Sequence, residues 1–165
     1  MPEKILIPLD GSRVGEAALP VVNDLISKIL PSLKVEVTLI QVLSSMSHYI
    51  AAGEETARVP YSEQELEQMK GQALQYLQKV EGTLEKAGAT TRSMVAVGDA
   101  AEEIIKAADQ INADIIAMSS HGRSGLSRWA FGSVTDKVLR AGHKPILTVR
   151  VPKETAKTQP LNQCE

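Results

Sequence analysis

Short apolar runs alternate with longer apolar stripes along the chain, and the two patterns demand different secondary structure. Ile5-Leu6-Ile7-Pro8-Leu9 follows Lys4 without a polar interruption, as a strand covered on both faces does. Pro8 brings no N–H, which places the exit from the sheet at the run's carboxyl end, and Asp10-Gly11-Ser12 reads as the turn that follows. From Ser12 to Leu30 the residues Val14, Ala18, Val21, Val22, Leu25, Ile26 and Ile29 recur at helical spacing. A kink is expected near Pro20, which removes one intrahelical bond. Val35 to Leu43 is rich in β-branched residues and predicts a second strand.

Ser44 to Tyr61 has no sustained period, contains Gly53 and Pro60, and reads as a lid or mobile loop. His48 and Tyr49 lie in it, and a lone histidine there makes a poor metal ligand. Ser62 with Glu65 forms a capping box, Tyr61 with Leu66 a staple, and Leu66, Met69, Ala73, Tyr76, Leu77, Val80, Leu84 and Ala87 a continuous stripe ended by Gly88. Thr91 to Val97 predicts a third strand. Asp99 and Glu102 then open a helix carrying Ile104, Ile105 and Ala108, and they read as caps rather than a catalytic pair. Ile115 to Met118 predicts a fourth strand, Gly132-Ser133 opens a helix through Val134, Val138 and Leu139 that Gly142 ends, and Pro145 to Val151 supplies a fifth strand. Residues 152–165 are polar and without period, a tail expected to be disordered beyond a domain spanning 1–151.

Strand and helix alternate throughout, which implies an α/β fold: one parallel sheet with helices on both faces. Ligands of such sheets bind at the carboxyl ends of neighbouring strands where the order reverses. Leu9-Asp10 and Ser119–Gly122 both join a strand end to polar, turn-forming residues, so setting the first and fourth strands side by side would unite them in one crevice. At 165 residues the chain suits one domain, and a formal charge of -2 gives no footprint for nucleic acid or an anionic membrane. Cys164 is the only cysteine, which excludes an internal disulfide and fits a reducing, cytoplasmic setting. The amino terminus lacks the pattern of a signal peptide.

The stretch after the fourth strand carries the candidate chemistry. Gly122, Gly125 and Gly132 let a backbone approach a ligand closely, and Ser119, Ser120, Ser124, Ser127 and Ser133 add hydroxyls suited to phosphate oxygens. The first-turn N–H groups of the helix opening at Gly132-Ser133 would point back into this loop, and Arg123 and Arg128 could add charge-assisted contacts. A phosphate chain is the anion this arrangement fits best. A plainer reading makes the glycines turn formers and has Ser133 cap its own helix with Asp136. Neither a Walker A string nor Gly-x-Gly-x-x-Gly after the first strand occurs.

Ser119, two residues, Gly122, nine residues, then Gly132-Ser133 resembles the nucleotide-binding signature of the universal stress protein family, in which a glycine stands where this chain has Ser119. The resemblance runs over about residues 3 to 151. It implies a Rossmann-like fold of the adenine nucleotide alpha hydrolase type, five parallel strands in the order 3-2-1-4-5, and ATP as ligand, with AMP or ADP as variants. Mg2+ or Mn2+ would be held mainly by the phosphates. By the same resemblance Pro8, Leu9 and Asp10 line the site and Val42 touches the adenine. Met118, Ser119, Gly122 and Arg123, with Gly132, Ser133, Val134 and Thr135, complete it. The implied function is a stress-response binding module with slow or no hydrolysis and an unidentified protein partner. The alternatives are an ATPase or nucleotidyl transferase, for which Asp10 and His121 are the only acid–base candidates, or a flavin-binding relative. The last strand, Pro145 to Val151, is an apolar sheet edge, and both this exposure and the resemblance point to a homodimer through it, with Val149→Pro as the disrupting change.

Overall fold

Alternation along β1 (Glu3–Pro8) sets the layering of the molecule. Ile5, Ile7 and Leu9 enter one apolar cluster while Leu6 enters another on the opposite face. The computed structural model describes residues 3–29, 32–43, 47–52, 55–121 and 131–150. β1 lies between β2 (Val35–Leu43) and β6 (Ile115–Ser119), with β5 (Thr90–Val97) and β7 (Ile146–Val149) at the edges, in the order β5-β2-β1-β6-β7. Every pairing in this sheet is parallel. With the hairpin described below set aside, this is the expected 3-2-1-4-5.

The first cluster joins Ile5, Ile7 and Leu39 to Val22 and Ile26 from the segment after β1, and to Leu77 and Leu84 of α2 (Glu63–Glu85). On the other face, Leu6, Ile40 and Ile116 meet Ile104 and Ala108 of α3 (Ala100–Gln110) and Val138 of α4 (Ser133–Ala141). Both caps expected before α2 and α3 are present. The Ser62 hydroxyl accepts from the Glu65 N–H at 3.2 Å while Glu65 Oε2 accepts from the Ser62 N–H at 2.8 Å. Asp99 Oδ1 accepts from the Glu102 N–H at 3.1 Å. Gly88, at φ +103°, closes α2 in the left-handed region, with the Ala89 N–H donating to the Leu84 carbonyl at 3.2 Å. Gly142 ends α4 differently: its φ of -78° is ordinary, and a Cβ there would lie 2.6 Å from the Val138 carbonyl oxygen, so close approach requires the glycine.

Two segments depart from the expected pattern. The stripe from Ser12 is a 3-10 turn (Gly15–Ala17), α1 (Ala18–Asp24) and a π-helical turn (Leu25–Ile29). Pro20 is the third residue of α1, in the first turn where N–H groups have no α-helical acceptor, so no kink is needed there. The irregularity comes later, where the Leu25 N–H is shared between the Val21 and Val22 carbonyls. The supposed lid contains an antiparallel hairpin, β3 (Ser47–Ala52) with β4 (Glu55–Pro60), in register Ser47↔Pro60 and Ala52↔Glu55. Each strand is too short, and too interrupted by alanine, to show a period, and Pro60 sits at a strand end where a proline is tolerated. Residues 152–165 and the greater part of the loop between β6 and α4 lie outside the described residues.

Candidate functional site

Pro8 opens the sheet where the site forms. The β1–β2 ladder continues to Pro8↔Ile40, and the Leu9 N–H still donates to the Ile40 carbonyl at 2.8 Å. The β1–β6 ladder stops at Leu6↔Ile116. Since backbone groups alternate sides along a strand, Leu9 turned toward β2 means Pro8 turned toward β6, where its missing N–H costs no ladder bond. Beyond it Asp10 Oδ1 accepts from the Ser12 N–H at 3.0 Å and the Ser12 hydroxyl at 2.6 Å, and the Ser12 hydroxyl accepts from the Gly15 N–H at 3.0 Å. Asp10 therefore holds the turn that Asp10-Gly11-Ser12 predicts, and its carboxylate also lines a cleft. Gly11 takes φ +78° to make this turn. Gly15 is packed so closely on the Asp10 carboxylate that an added Cβ would overlap Oδ1.

On the other side, β6 ends in Ser119 and Ser120, both buried. The Ser119 hydroxyl donates to the His121 carbonyl at 2.5 Å, and the Ser119 carbonyl accepts from the buried Thr135 hydroxyl at 3.0 Å. Among the described residues only Asn112 is a non-glycine with positive φ, so Ser119 occupies the place of the signature's first glycine without left-handed strain. The Gly132 N–H donates to the Ser120 carbonyl at 2.7 Å and the Asp136 N–H to the Gly132 carbonyl at 2.8 Å, which sets α4 with its amino end at the tip of β6. Gly132 is the N-cap, and no side-chain hydrogen bond caps the helix. Ser133 is thus its first helical residue, and the capping box with Asp136 is not formed.

These strand ends and the start of α4 border one cleft of about 780 Å³. Pro8, Leu9, Asp10 and Val42 line it from β1 and β2, Met118 and Ser119 from β6, and Gly132, Ser133, Val134 and Thr135 from α4. Gly122, Arg123 and Arg128 lie outside the described residues. The sequence reading missed Gln41, Tyr61, Met69, Gln72 and Tyr76, which also line the cleft. Met69 and Tyr76 belong to the apolar stripe of α2, and helical spacing alone does not show which end of a stripe borders a cavity. His121 lines it too, its Nδ1 paired with the Ser120 hydroxyl at 3.0 Å and its buried Nε2 without a partner among the described residues.

The two helices bordering the cleft near Val42 are tied together, the middle of α4 to the amino end of α3. Lys137 of α4 reaches Asp99 and Glu102 at 3.0 Å each. The Glu102 N–H and the Lys137 ammonium hold the Asp99 carboxyl below the usual carboxylate range. Glu102 and Asp99 raise Lys137 above the ordinary lysine value. Among the described residues no three His, Cys, Asp or Glu side chains gather as metal ligands, and no helix is long and apolar enough to cross a membrane.

A model described as the universal stress protein family matches residues 1–150. Universal stress protein MJ0531 of Methanocaldococcus jannaschii is 33% identical over 153 residues, covering 92% of this chain and 84% of its own length. MJ0577 of the same organism is 32% identical over 160 residues, 91% of this chain and 96% of its own. The solved structure of MJ0577 superposes with a TM-score of 0.72 at 28% identity, covering 92% of this chain and 98% of that one. A family member from Arabidopsis thaliana, solved with AMP bound, shares the fold at a TM-score of 0.63 and 13% identity over 96% and 98% of the two chains. Matched from residue 1 to residue 150 and related to two members along nearly its full length, the chain belongs to the universal stress protein family.

Proposed function

We propose that the protein is an adenine nucleotide-binding regulatory module of the stress response, with ATP as its principal ligand and AMP or ADP as variants. The observation that carries this reading is the start of α4. Ser133, Val134 and Thr135 form its first turn at the cleft, where N–H groups have no acceptor within the helix, and the Gly132 N-cap supplies no side chain to compete for them. Phosphates would bind there with Gly122 and Arg123 contributing from the loop, and the adenine would rest on the apolar wall of Val42 and Met118. Pro8, Leu9, Asp10 and Ser119 would border the ribose and phosphates between them. The AMP-bound Arabidopsis relative supports this assignment of ligand class. A Mg2+ or Mn2+ ion would take its ligands mainly from phosphate oxygens. The module would act as a cytoplasmic homodimer on an unidentified protein partner.

Mass spectrometry of nucleotide released from the purified protein tests the ligand, and calorimetry tests the loop. Gly132→Val is expected to weaken ATP about tenfold or more, the scale of one or two charge-assisted hydrogen bonds, with adenosine much less affected. Equal losses for both ligands would remove the phosphates from α4. Turnover is expected well below about 1 per second, because the sequence carries no P-loop lysine and Asp10 Oδ1 already accepts two bonds from its turn. Faster phosphate release, abolished in Asp10→Asn, would make the protein an enzyme instead.

A further inference from the structure

Three successive carbonyls close β6, and the fold supplies each with its own donor. The Ser119 carbonyl accepts from the buried Thr135 hydroxyl at 3.0 Å, the Ser120 carbonyl from the Gly132 N–H at 2.7 Å, and the His121 carbonyl from the Ser119 hydroxyl at 2.5 Å. A carbonyl oxygen carries partial negative charge, so one left uncovered at the cleft would oppose an anion, while the free N–H groups of the first turn of α4 favour one. Ser119, His121 and Gly132 all line that cleft. No lysine or arginine does so among the described residues, and Asp10 is the one acid, so the balance of backbone donors and acceptors weighs heavily in what the cleft accepts.

Two of the three donors come from α4 and its N-cap. The third comes from the position at which this chain has serine where the signature has glycine, and a glycine there supplies no hydroxyl. A serine hydroxyl has one proton, and Ser119 spends it on the His121 carbonyl, so it does not itself donate to a phosphate.

We propose that Ser119 is a positioning residue that sets the preference of the site for phosphorylated over unphosphorylated ligands, by holding the His121 carbonyl away from the phosphates. It acts through the His121 peptide and not by binding the ligand. The role rests on the nucleotide reading for the place of the phosphates at the start of α4, and it goes beyond that reading by assigning work to the serine that replaces the glycine.

Calorimetry tests it with ATP, adenosine and inorganic tripolyphosphate, an anion without a base, on the parent, Ser119→Ala and Ser119→Thr. Ser119→Ala should lower the ratio of ATP to adenosine affinity about tenfold, the scale of one acceptor left uncovered, and weaken tripolyphosphate by a similar factor. Ser119→Thr keeps the hydroxyl and should recover most of the ratio. A purely structural role would weaken both ligands together, so an unchanged ratio in Ser119→Ala overturns the proposal. A ratio as low in Ser119→Thr as in Ser119→Ala overturns it too, because the bulk of the side chain and not its hydroxyl would then matter. A parent that binds tripolyphosphate but neither ATP nor adenosine removes the nucleotide reading alone, and the tripolyphosphate affinity of Ser119→Ala still decides the role of Ser119. A parent that binds neither ATP nor tripolyphosphate overturns both.

Discussion

Three residues carry more of the site's geometry than their types announce. Ser133 looks like a cap in the sequence and is the first residue of α4 instead, with no capping bond from its hydroxyl. Ser133→Ala should therefore leave the denaturation midpoint nearly unchanged, in contrast to the ~1 kcal/mol loss of a true cap, while ATP affinity falls more than adenosine affinity. A midpoint that drops with equal losses for both ligands would return Ser133 to a purely structural role. Gly15 is sterically confined by Asp10, so Gly15→Ala must push the carboxylate or the turn aside. A loss of roughly 1–3 kcal/mol in urea unfolding is expected, together with weaker ATP binding, because the same carboxylate lines the cleft. Gln41 works in the opposite direction. Its buried Oε1 has no hydrogen-bond partner among the described residues, so Gln41→Leu should stabilise the fold by about 1 kcal/mol in urea unfolding.

At the scale of elements, Lys137 ties α4 to the start of α3, and the tie has a defined pH window. The Asp99 pKa is depressed in the folded state, so its contribution is complete above the ordinary carboxylate value and is lost as pH falls through the folded one. The Lys137 pKa is raised, so its contribution is complete below the ordinary lysine value and is lost as pH rises through the folded one. The tie thus persists across the neutral range. Lys137→Ala should lose stability at neutral pH and less in strong acid, in a manner weakened by salt because the groups are exposed; a deficit unaffected by acid would mean the helices are held by packing alone. Sequence periodicity disclosed most of these elements because each strand or helix buries one consistent pattern: β1 and β6 as apolar runs, α2 and α3 by their caps. The hairpin β3–β4 was not legible, since two short strands outside the main sheet impose no long repeat. The strand ends of the cleft were readable from Asp10 and Ser119, where apolar runs stop at polar residues. Its α2 wall was not, because Tyr76 and Met69 satisfy a core stripe and a cavity with the same spacing.

The whole molecule ends in two unlike sheet edges, and they differ in what they offer a second copy. β5 begins Thr90-Thr91-Arg92-Ser93, polar and charged, whereas β7 is Ile146-Leu147-Thr148-Val149. An apolar edge with free backbone groups is an association site unless covered, which is the basis for proposing a twofold dimer through β7. The register decides which residues could cross it. Pro145 and Val149 turn their carbonyls toward β6, accepting from the Ile116 N–H at 2.9 Å and the Ser120 N–H at 2.7 Å. By alternation Leu147 faces β6 as well, and the outward groups belong to Ile146, Thr148 and Arg150. Val149→Pro, the disrupting change chosen from sequence, would therefore break the sheet internally and unfold its edge without testing the contact. Thr148→Pro removes an outward N–H instead and spares the β6 ladder. Light scattering should find the parent chain dimeric at micromolar concentration and Thr148→Pro monomeric, with far-ultraviolet circular dichroism and ATP binding retained in both. A parent chain that is monomeric under those conditions refutes the dimer, and a Thr148→Pro chain that remains dimeric moves the contact away from β7.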